Sequence, residues 1–357
     1  MRILHTSDIH LDSPLTTRLS SDKVRQRRGE LLSGFGRLIE EAVRLKADAM
    51  IIAGDLFDSG HVSRRAMTTA LDMITQAANI HFYYLPGNHE GDAIANSGRE
   101  IPENLHIFGS EWSYFELSGL TFAGRCEINE KIFDELSLPN EGRSIVVLHG
   151  ELRERCSAPE TVGLNDAANR GIDYLALGHY HSYSATPISG GGVAVYCGTP
   201  EGRGFDEAGE KGYVLIEADQ RGISHSFHPF AKRQLHIVKI FITGASSSAE
   251  ICQRAKAALQ GIKSTDIVRL ELCGRYCPEL WKDTESIYSE LSGKYYYFEI
   301  KDSSKMAINP EDYRYDKSLK GEFIRTVSAD AELSEDMKEK IIRCGINALM
   351  GEELFES

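Results

Sequence analysis

Aspartate, histidine and asparagine recur in this sequence in short clusters, most of them glycine-flanked and each directly after an apolar run. Asp8-Ile9-His10 follows RILHTS, and Gly54-Asp55, with Asp58 three residues on, follows AMIIA. Gly87-Asn88-His89-Glu90 follows HFYYLP, His149-Gly150 follows SIVVL, and Gly178-His179-Tyr180-His181 follows DYLAL. Apolar runs of this length read as buried strands of a parallel sheet. An unpaired carboxylate at the mouth of such a strand is costly, so Asp55 calls for a cation. Each cluster taken singly is ordinary turn chemistry, a satisfied histidine, or a surface strand. Five in series, each after a strand, point instead to one site at the carboxyl ends of the strands, where α/β folds bind ligands.

The residue types narrow the chemistry. Carboxylate, imidazole and amide donors without cysteine suit manganese, iron or zinc. Residues i and i+2 of a strand share a face, so both members of Asp8-x-His10, or of His179-x-His181, can reach one metal. Asp8, His10, Asp55, Asn88, His149, His179 and His181 are too many ligands for one ion that keeps a position open for water. They suit two ions about 3.5–4 Å apart with a shared carboxylate, for which Asp55 is the candidate. The histidines at 5, 61, 81, 106, 225, 228 and 236 have no partner motif and read as structural or solvated.

The elements that must position these residues alternate in the first two-thirds of the chain, which predicts an α/β fold. Strands are expected at RILHTSD, AMIIAGD, HFYYLPGN, SIVVLHGE, DYLALGHYH, VAVYCGTP and KGYVLIEA, with helices over Asp22–Leu45 and Arg64–Ala78. The pattern changes near Phe230. RQLHIVKIFITG, SAEICQRAKAALQG, IVRLELCGR, PELWKDTESIYSELSGK and YYYFEIKD read as a β-α-β-α-β unit of a separate small α+β domain. The chain from Asp312 reads as a helical tail with apolar faces at Phe323, Ile324, Ile341, Ile342, Ile346, Leu349 and Met350. These readings divide the chain into 1–230, 231–305 and 306–357.

The 357 residues are 41% hydrophobic and 26% charged, as in soluble globular proteins. No apolar run approaches the roughly 20 residues of a membrane helix, and MRILHTSDIHL lacks the features of a signal peptide. Seven scattered cysteines fit reduced thiols of the cytoplasm better than a disulfide framework, and Cys273-x-x-x-Cys277 has no zinc-ribbon partner. A formal charge of −13 argues against coating nucleic acid by bulk electrostatics. It leaves room for a nuclease whose local positive charge comes from bound cations. Lys23, Arg25, Arg27 and Arg28 read as a solvated helix face. Arg203, in the loop after Gly198-Thr199-Pro200, is a candidate phosphate contact.

The order DxH, GDxxD, GNHE, H, GHxH resembles that of the calcineurin-like metallophosphoesterases. ILHTSDIHLDSPL, IIAGDLFDSG, YYLPGNHEGD, VVLHGE, LALGHYH and YCGTPEGRGFDE are similar to the SbcD and YhaO group of DNA repair exonucleases. These motifs cover about the first 210 residues, and the unit after Phe230 matches the group's capping domain in pattern only. The resemblance implies a β-sandwich flanked by helices in α/β/β/α layers. It implies that Asp8, His10 and His181 hold one ion, that Asp55 bridges, and that Asn88, His149 and His179 hold the other, with manganese the usual metal and iron or zinc the alternatives. His89 would act near the scissile phosphate as general acid or charge stabiliser, with Asp58 orienting it. Some close relatives carry histidine at the position of Asp58.

The implied activity is two-metal phosphodiester hydrolysis of DNA by an activated hydroxide. A small-molecule or cyclic-nucleotide phosphodiesterase would share the metal set, but has less need of the extra domain and tail. A largely structural subunit regulating an ATPase is the reading from another class. The group works with an SMC-like coiled-coil ATPase, for which the tail is a docking candidate, and often forms homodimers.

Overall fold

The computed structural model describes all residues except 16–18, 59–61, 88–92, 95–96, 278–279, 308 and 350–357. The chain divides into two compact units, Met1–His236 and Ile237–Ser357.

In the first unit, β1 (Arg2–Thr6) leads to α1 (Ser21–Arg44), β2 (Ala49–Ala53), α2 (Arg64–Gln76) and β3 (His81–Leu85). The short strands β4 (Leu105–Ile107), β5 (Ser113–Leu117) and β6 (Leu120–Gly124) precede β7 (Arg143–His149), β8 (Glu151–Arg153), β9 (Thr161–Gly163) and β10 (Tyr174–Gly178). Then come β11 (Ser184–Pro187), β12 (Val193–Tyr196), β13 (Gly212–Asp219) and β14 (Gly222–Pro229). One six-stranded sheet has the order β14-β13-β1-β2-β3-β4, and the other β11-β12-β10-β7-β6-β5. In the first, β1 to β4 run parallel and β13 antiparallel to β1. In the second, β12, β10, β7 and β6 run parallel, with antiparallel strands at both edges. Parallel pairing brings strand ends into line: Ala53 lies beside Leu85, and Gly178 beside His149.

The two sheets enclose one core, with Ile3, Ile51, Tyr83, Phe122, Val147 and Ala176 facing inward. Helices α1 and α2 cover the outer face of the first sheet. Phe35, Leu38, Ile39 and Ala42 recur at helical spacing and pack on Met50, Ile52 and Phe82. Each such buried side chain contributes about 2 kcal/mol. Ser63 caps α2 by accepting from the Ala66 N–H. β2 is buried along its whole length because both faces of its sheet are covered, which is why AMIIA is continuously apolar. The outer face of the second sheet is closed by turns and loop residues, among them Phe133, Ala167, Ile172 and Ile188.

Arg27 departs from the solvated face expected for its cluster. It is buried, ion-paired to Glu30 at 2.6 Å, and donates to the Gly202 carbonyl at 2.7 Å.

The second unit carries β15 (Leu235–Phe241), whose first two residues belong to the first unit, then α3 (Ser248–Ala258), β16 (Ile267–Cys273) and β17 (Arg275–Tyr276). After these come α4 (Thr284–Leu291), β18 (Tyr297–Asp302), β19 (Lys305–Met306), α5 (Leu319–Ala329) and α6 (Glu335–Leu349). β15-β16-β18 form a three-stranded sheet. Its core joins Ile251, Leu270, Ile287 and Phe298. The apolar faces of the tail meet one another: Ile324 of α5 packs with Ile342 and Ile346 of α6 and with Met306. No helix among the described residues is long and apolar enough to cross a membrane, and none of the seven cysteines is in a disulfide.

Candidate metal centre

Strands β1, β2 and β10 present Asp8 and His10, Asp55, and His179 and His181 just beyond their last paired residues, and β7 presents His149 as its last residue. There the backbone turns sharply. Asp8, His10 and Asp55 have φ of 50°, 49° and 47°, and His179 has φ 103°. Non-glycine residues hold such conformations at a cost on the order of 1–3 kcal/mol each, and they gather at functional sites. The turns brace one another: the Asp8 N–H donates to the Gly54 carbonyl at 3.1 Å and the His10 N–H to the Asp55 carbonyl at 2.9 Å. Two glycines make the approach possible. A Cβ on Gly54, itself at φ 90°, would run into the His149 ring, and one on Gly87 would run into the Asp55 carboxylate.

The side chains form two groups that share Asp8. One is Asp8, His10 and His181, and the other is Asp8, Asp55 and His149. His10 Nε2 lies 3.4 Å from His181 Nε2 and 3.8 Å from Asp55 Oδ2, and His181 Nε2 lies 3.7 Å from Asp8 Oδ1. His149 Nε2 is 3.5 Å from Asp55 Oδ2. His179 meets His149 edge-on, with ring centroids 5.6 Å apart, while its N–H donates to both oxygens of Asp8 at 3.1 Å. Spacing of two therefore works for Asp8 and His10, although a left-handed turn presents them rather than a strand face. It does not put His179 and His181 in one group, because the chain leaves β10 at Gly178 and turns at His179.

The tautomers follow from the other ring nitrogens. His10 Nδ1 faces Asp58 Oδ1 at 2.9 Å, and His181 Nδ1 faces Glu207 Oε1 at 2.7 Å. His149 Nδ1 faces the Ala53 carbonyl at 3.0 Å. In their neutral forms His149 and His181 carry the Nδ1 proton toward an acceptor, His10 Nδ1 lies at ion-pair distance from Asp58, and each Nε2 then turns a lone pair inward. Lone pairs of His10 and His181 at 3.4 Å, beside two buried carboxylates, repel unless a cation lies among them. His149 Nε2 is buried with no hydrogen-bond partner among the described residues. These donors fit divalent ions, with one ligand atom from each residue of a group within 4.8 Å of the others.

The same negative field that suits a cation draws protons to these rings, protons that a divalent ion would displace. Burial disfavours a charged His149, but Asp55 and Asp8 outweigh it and raise its pKa to about 9. Burial likewise opposes the charge on His181, yet Glu207 and Asp8 raise its pKa. Glu207 is held near 2 despite burial, by His181 and Arg203. Burial raises the pKa of Asp58, and His10 and Arg203 more than reverse this.

Asn88 and His89 lie outside the described residues, directly after Gly87. The described partners of Asp58 are His10 and Arg203. Arg203 turns its guanidinium inward to Asp58 and Glu207 rather than out toward solvent. Glu207 is not among the residues singled out from sequence. It sits inside the GTPEGRGFDE stretch, four residues after Arg203, and only the fold brings it to His181.

Similarity to known proteins follows the same residues. The chain is 28% identical to the metallophosphoesterase YhaO of Bacillus subtilis over 244 residues, which is 64% of this chain and 60% of that protein. It is 26% identical to the DNA double-strand break repair protein Mre11 of Methanosarcina mazei, over 70% of this chain and 41% of that one. It is also 26% identical to a subunit of the nuclease SbcCD of Escherichia coli, over 62% of this chain and 66% of that one. The chain thus spans less than two thirds of these relatives. The calcineurin-like phosphoesterase pattern matches residues 1–183, the stretch that holds every donor described above, and the chain belongs to that family.

Proposed function

We propose that this protein is a two-metal phosphodiesterase that hydrolyses DNA as a repair nuclease. The observation that carries the reading is the convergence of Asp8, His10, Asp55, His149 and His181 at one strand-end edge, with each Nε2 facing inward. Asp8, His10 and His181 would hold one ion. His149, His179 and, by its motif, Asn88 would hold the other, with Asp55 between them. Two divalent ions, manganese in the first place, would supply an activated water and neutralise charge on the phosphate. The chain's own part is to present these donors already oriented. Among the described residues the site carries four carboxylates, Asp8, Asp55, Asp58 and Glu207, against the guanidinium of Arg203. Two divalent charges therefore turn a strongly negative pocket into one that accepts an anionic diester. His89, by its motif, gives the leaving oxygen its proton.

DNA as substrate, exonucleolytic or endonucleolytic, is supported by the kinship with Mre11 and the SbcCD nuclease. By the same kinship a coiled-coil ATPase of the SMC type is the expected partner, with the α5–α6 hairpin its docking candidate and the cytoplasm its place. A second reading has one observation of its own. A cavity of about 490 Å³ opens beside His149, lined among others by Gly87, Phe108, Cys126, Glu127 and Glu160, and its size suits a nucleotide-scale ligand.

The test is degradation of labelled linear DNA by the purified chain with Mn²⁺, Mg²⁺ or EDTA, beside His89→Ala and a bis(p-nitrophenyl) phosphate control. Loss of DNA that needs Mn²⁺ and disappears in the variant is the expected result. Hydrolysis of the small diester with DNA left intact, even after addition of the ATPase, selects the second reading.

A further inference from the structure

Arg203 and Glu207 stand outside the donor set, yet their side chains bond to each other, to His181 and to Asp58. Glu207 is buried and its Oε1 lies 2.7 Å from His181 Nδ1. The same oxygen accepts from Arg203 Nη2 at 2.8 Å and Nε at 3.0 Å, while Oε2 accepts the Arg203 backbone N–H at 2.7 Å. The remaining arm of the guanidinium, Nη1, donates to Asp58 Oδ1 at 2.8 Å, and Asp58 Oδ1 is 2.9 Å from His10 Nδ1. A single planar group therefore bridges the two carboxylates that hold the two facing histidines. His10 comes from the turn after β1 and His181 from the turn after β10, in different sheets, and the 3.4 Å between their Nε2 atoms needs such a tie.

The bridge is itself anchored. Arg27 donates to the Gly202 carbonyl, next to Arg203, at 2.7 Å. Glu201 pairs with Arg37 and accepts the Lys232 N–H at 2.9 Å. Lys211, four residues beyond Glu207, donates to the His181 carbonyl at 2.5 Å.

We propose that the Glu207–Arg203–Asp58 bridge is the positioning element of one metal site only, the one built on His10 and His181, and that Arg203 acts through it rather than by contacting substrate. The inference rests on the two-metal reading above. It makes the two sites separable by substitutions outside the donor set. Carboxylates that orient a metal-binding histidine are worth about 10–100-fold in metal affinity. A lysine at 203 keeps the charge but offers a single point of contact, so it cannot span both carboxylates.

The test is metal counting on the metal-stripped full chain by equilibrium dialysis against Mn²⁺, for wild type, Glu207→Gln and Arg203→Lys. Low-temperature electron paramagnetic resonance reads whether the two Mn²⁺ are coupled. Wild type is expected to take up two coupled ions. Each variant is expected to keep one at wild-type affinity, to bind the second about 10–100-fold more weakly, and to show an uncoupled Mn²⁺ signal at intermediate loading. Two ions at wild-type affinity in both variants, or an equal weakening of both ions, would overturn the bridge. If Glu207→Gln does not fold, Arg203→Lys decides by the same criteria. A wild type that takes up fewer than two ions overturns the two-metal reading itself, and the bridge falls with it.

Discussion

The two halves of the candidate centre are held in different ways. His10 and His181 are fixed by side chains: Asp58, Glu207 and Arg203, with Arg27 and Arg37 behind them. His149 is fixed by main chain. Its Nδ1 meets the Ala53 carbonyl, and its ring fills the space that Gly54 leaves. A side-chain brace can be altered one atom at a time and tunes affinity. A backbone brace has no such setting, and only a change that moves the chain disturbs it. The first half should therefore respond gradually to substitution and the second abruptly.

On the proposed reading Asp55 would bridge the halves, its Oδ2 lying 3.8 Å from His10 Nε2 and 3.5 Å from His149 Nε2. Asp55→Asn keeps the shape and removes the charge. It should abolish binding of both ions and lower kcat/KM for bis(p-nitrophenyl) phosphate by at least ~100-fold, a loss of several kcal/mol. Uptake of one ion at full affinity would show that the halves do not share this carboxylate. Gly54→Ala strikes the backbone-held half first, although the Gly54 carbonyl also accepts the Asp8 N–H. The added Cβ meets the His149 ring at a φ that favours glycine. Calorimetric unfolding should show a loss of about 2–3 kcal/mol, and dialysis should show the His149 ion lost while the other stays.

The same contrast explains what the sequence discloses. The strand-end motifs are legible because burial forces apolar runs up to the last strand residue, so the first polar residues beyond it stand out. β1, β2, β3, β7 and β10 are read at once, and with them the candidate donors that converge. β5 and β14 are missed because their faces alternate between exposed and half-buried, and β4, β8 and β9 because three residues carry no period. Glu207 and the buried Arg27 are missed for a different reason. A charged residue on a loop or helix reads as solvated unless its partner is known, and the partners here are distant: Gly202 for Arg27, 175 residues away, and His181 for Glu207. The tail's apolar faces are visible in sequence, but their meeting with Met306 is long-range and is not.

Acid should find the side-chain brace before it finds the backbone one. Glu30 is buried among Arg27, Lys232 and Arg233, behind the loop that carries Arg203. Burial works against its charge, but these cations prevail and lower its pKa from 4.5 to about 2. A carboxylate with a depressed folded pKa adds stability above its unfolded value, and that stability fades as the pH falls through the folded one. Denaturant unfolding of the metal-free protein should therefore lose about 2 kcal/mol between pH 4.5 and 2 through this group. Glu30→Gln should be less stable at neutral pH and show a shallower loss across that window. An unchanged slope would assign the acid sensitivity to other groups.

Asp58→Asn should have the smallest effect of the series. Asp58 and Glu207 perform the same task for His10 and His181, but in different surroundings. The side chain of Asp58 is 16% exposed and that of Glu207 is 2%. Water near Asp58 screens its attraction for the His10 N–H and for Arg203, so less depends on its charge. Either amide retains an acceptor oxygen for its histidine, but Glu207 accepts three of the hydrogen bonds that Arg203 donates and Asp58 accepts one. Asp58→Asn should weaken the His10–His181 ion about tenfold, about 1.4 kcal/mol, and leave the His149 ion untouched. A loss as large as that of Glu207→Gln would mean that the brace responds to its number of charges rather than to their burial.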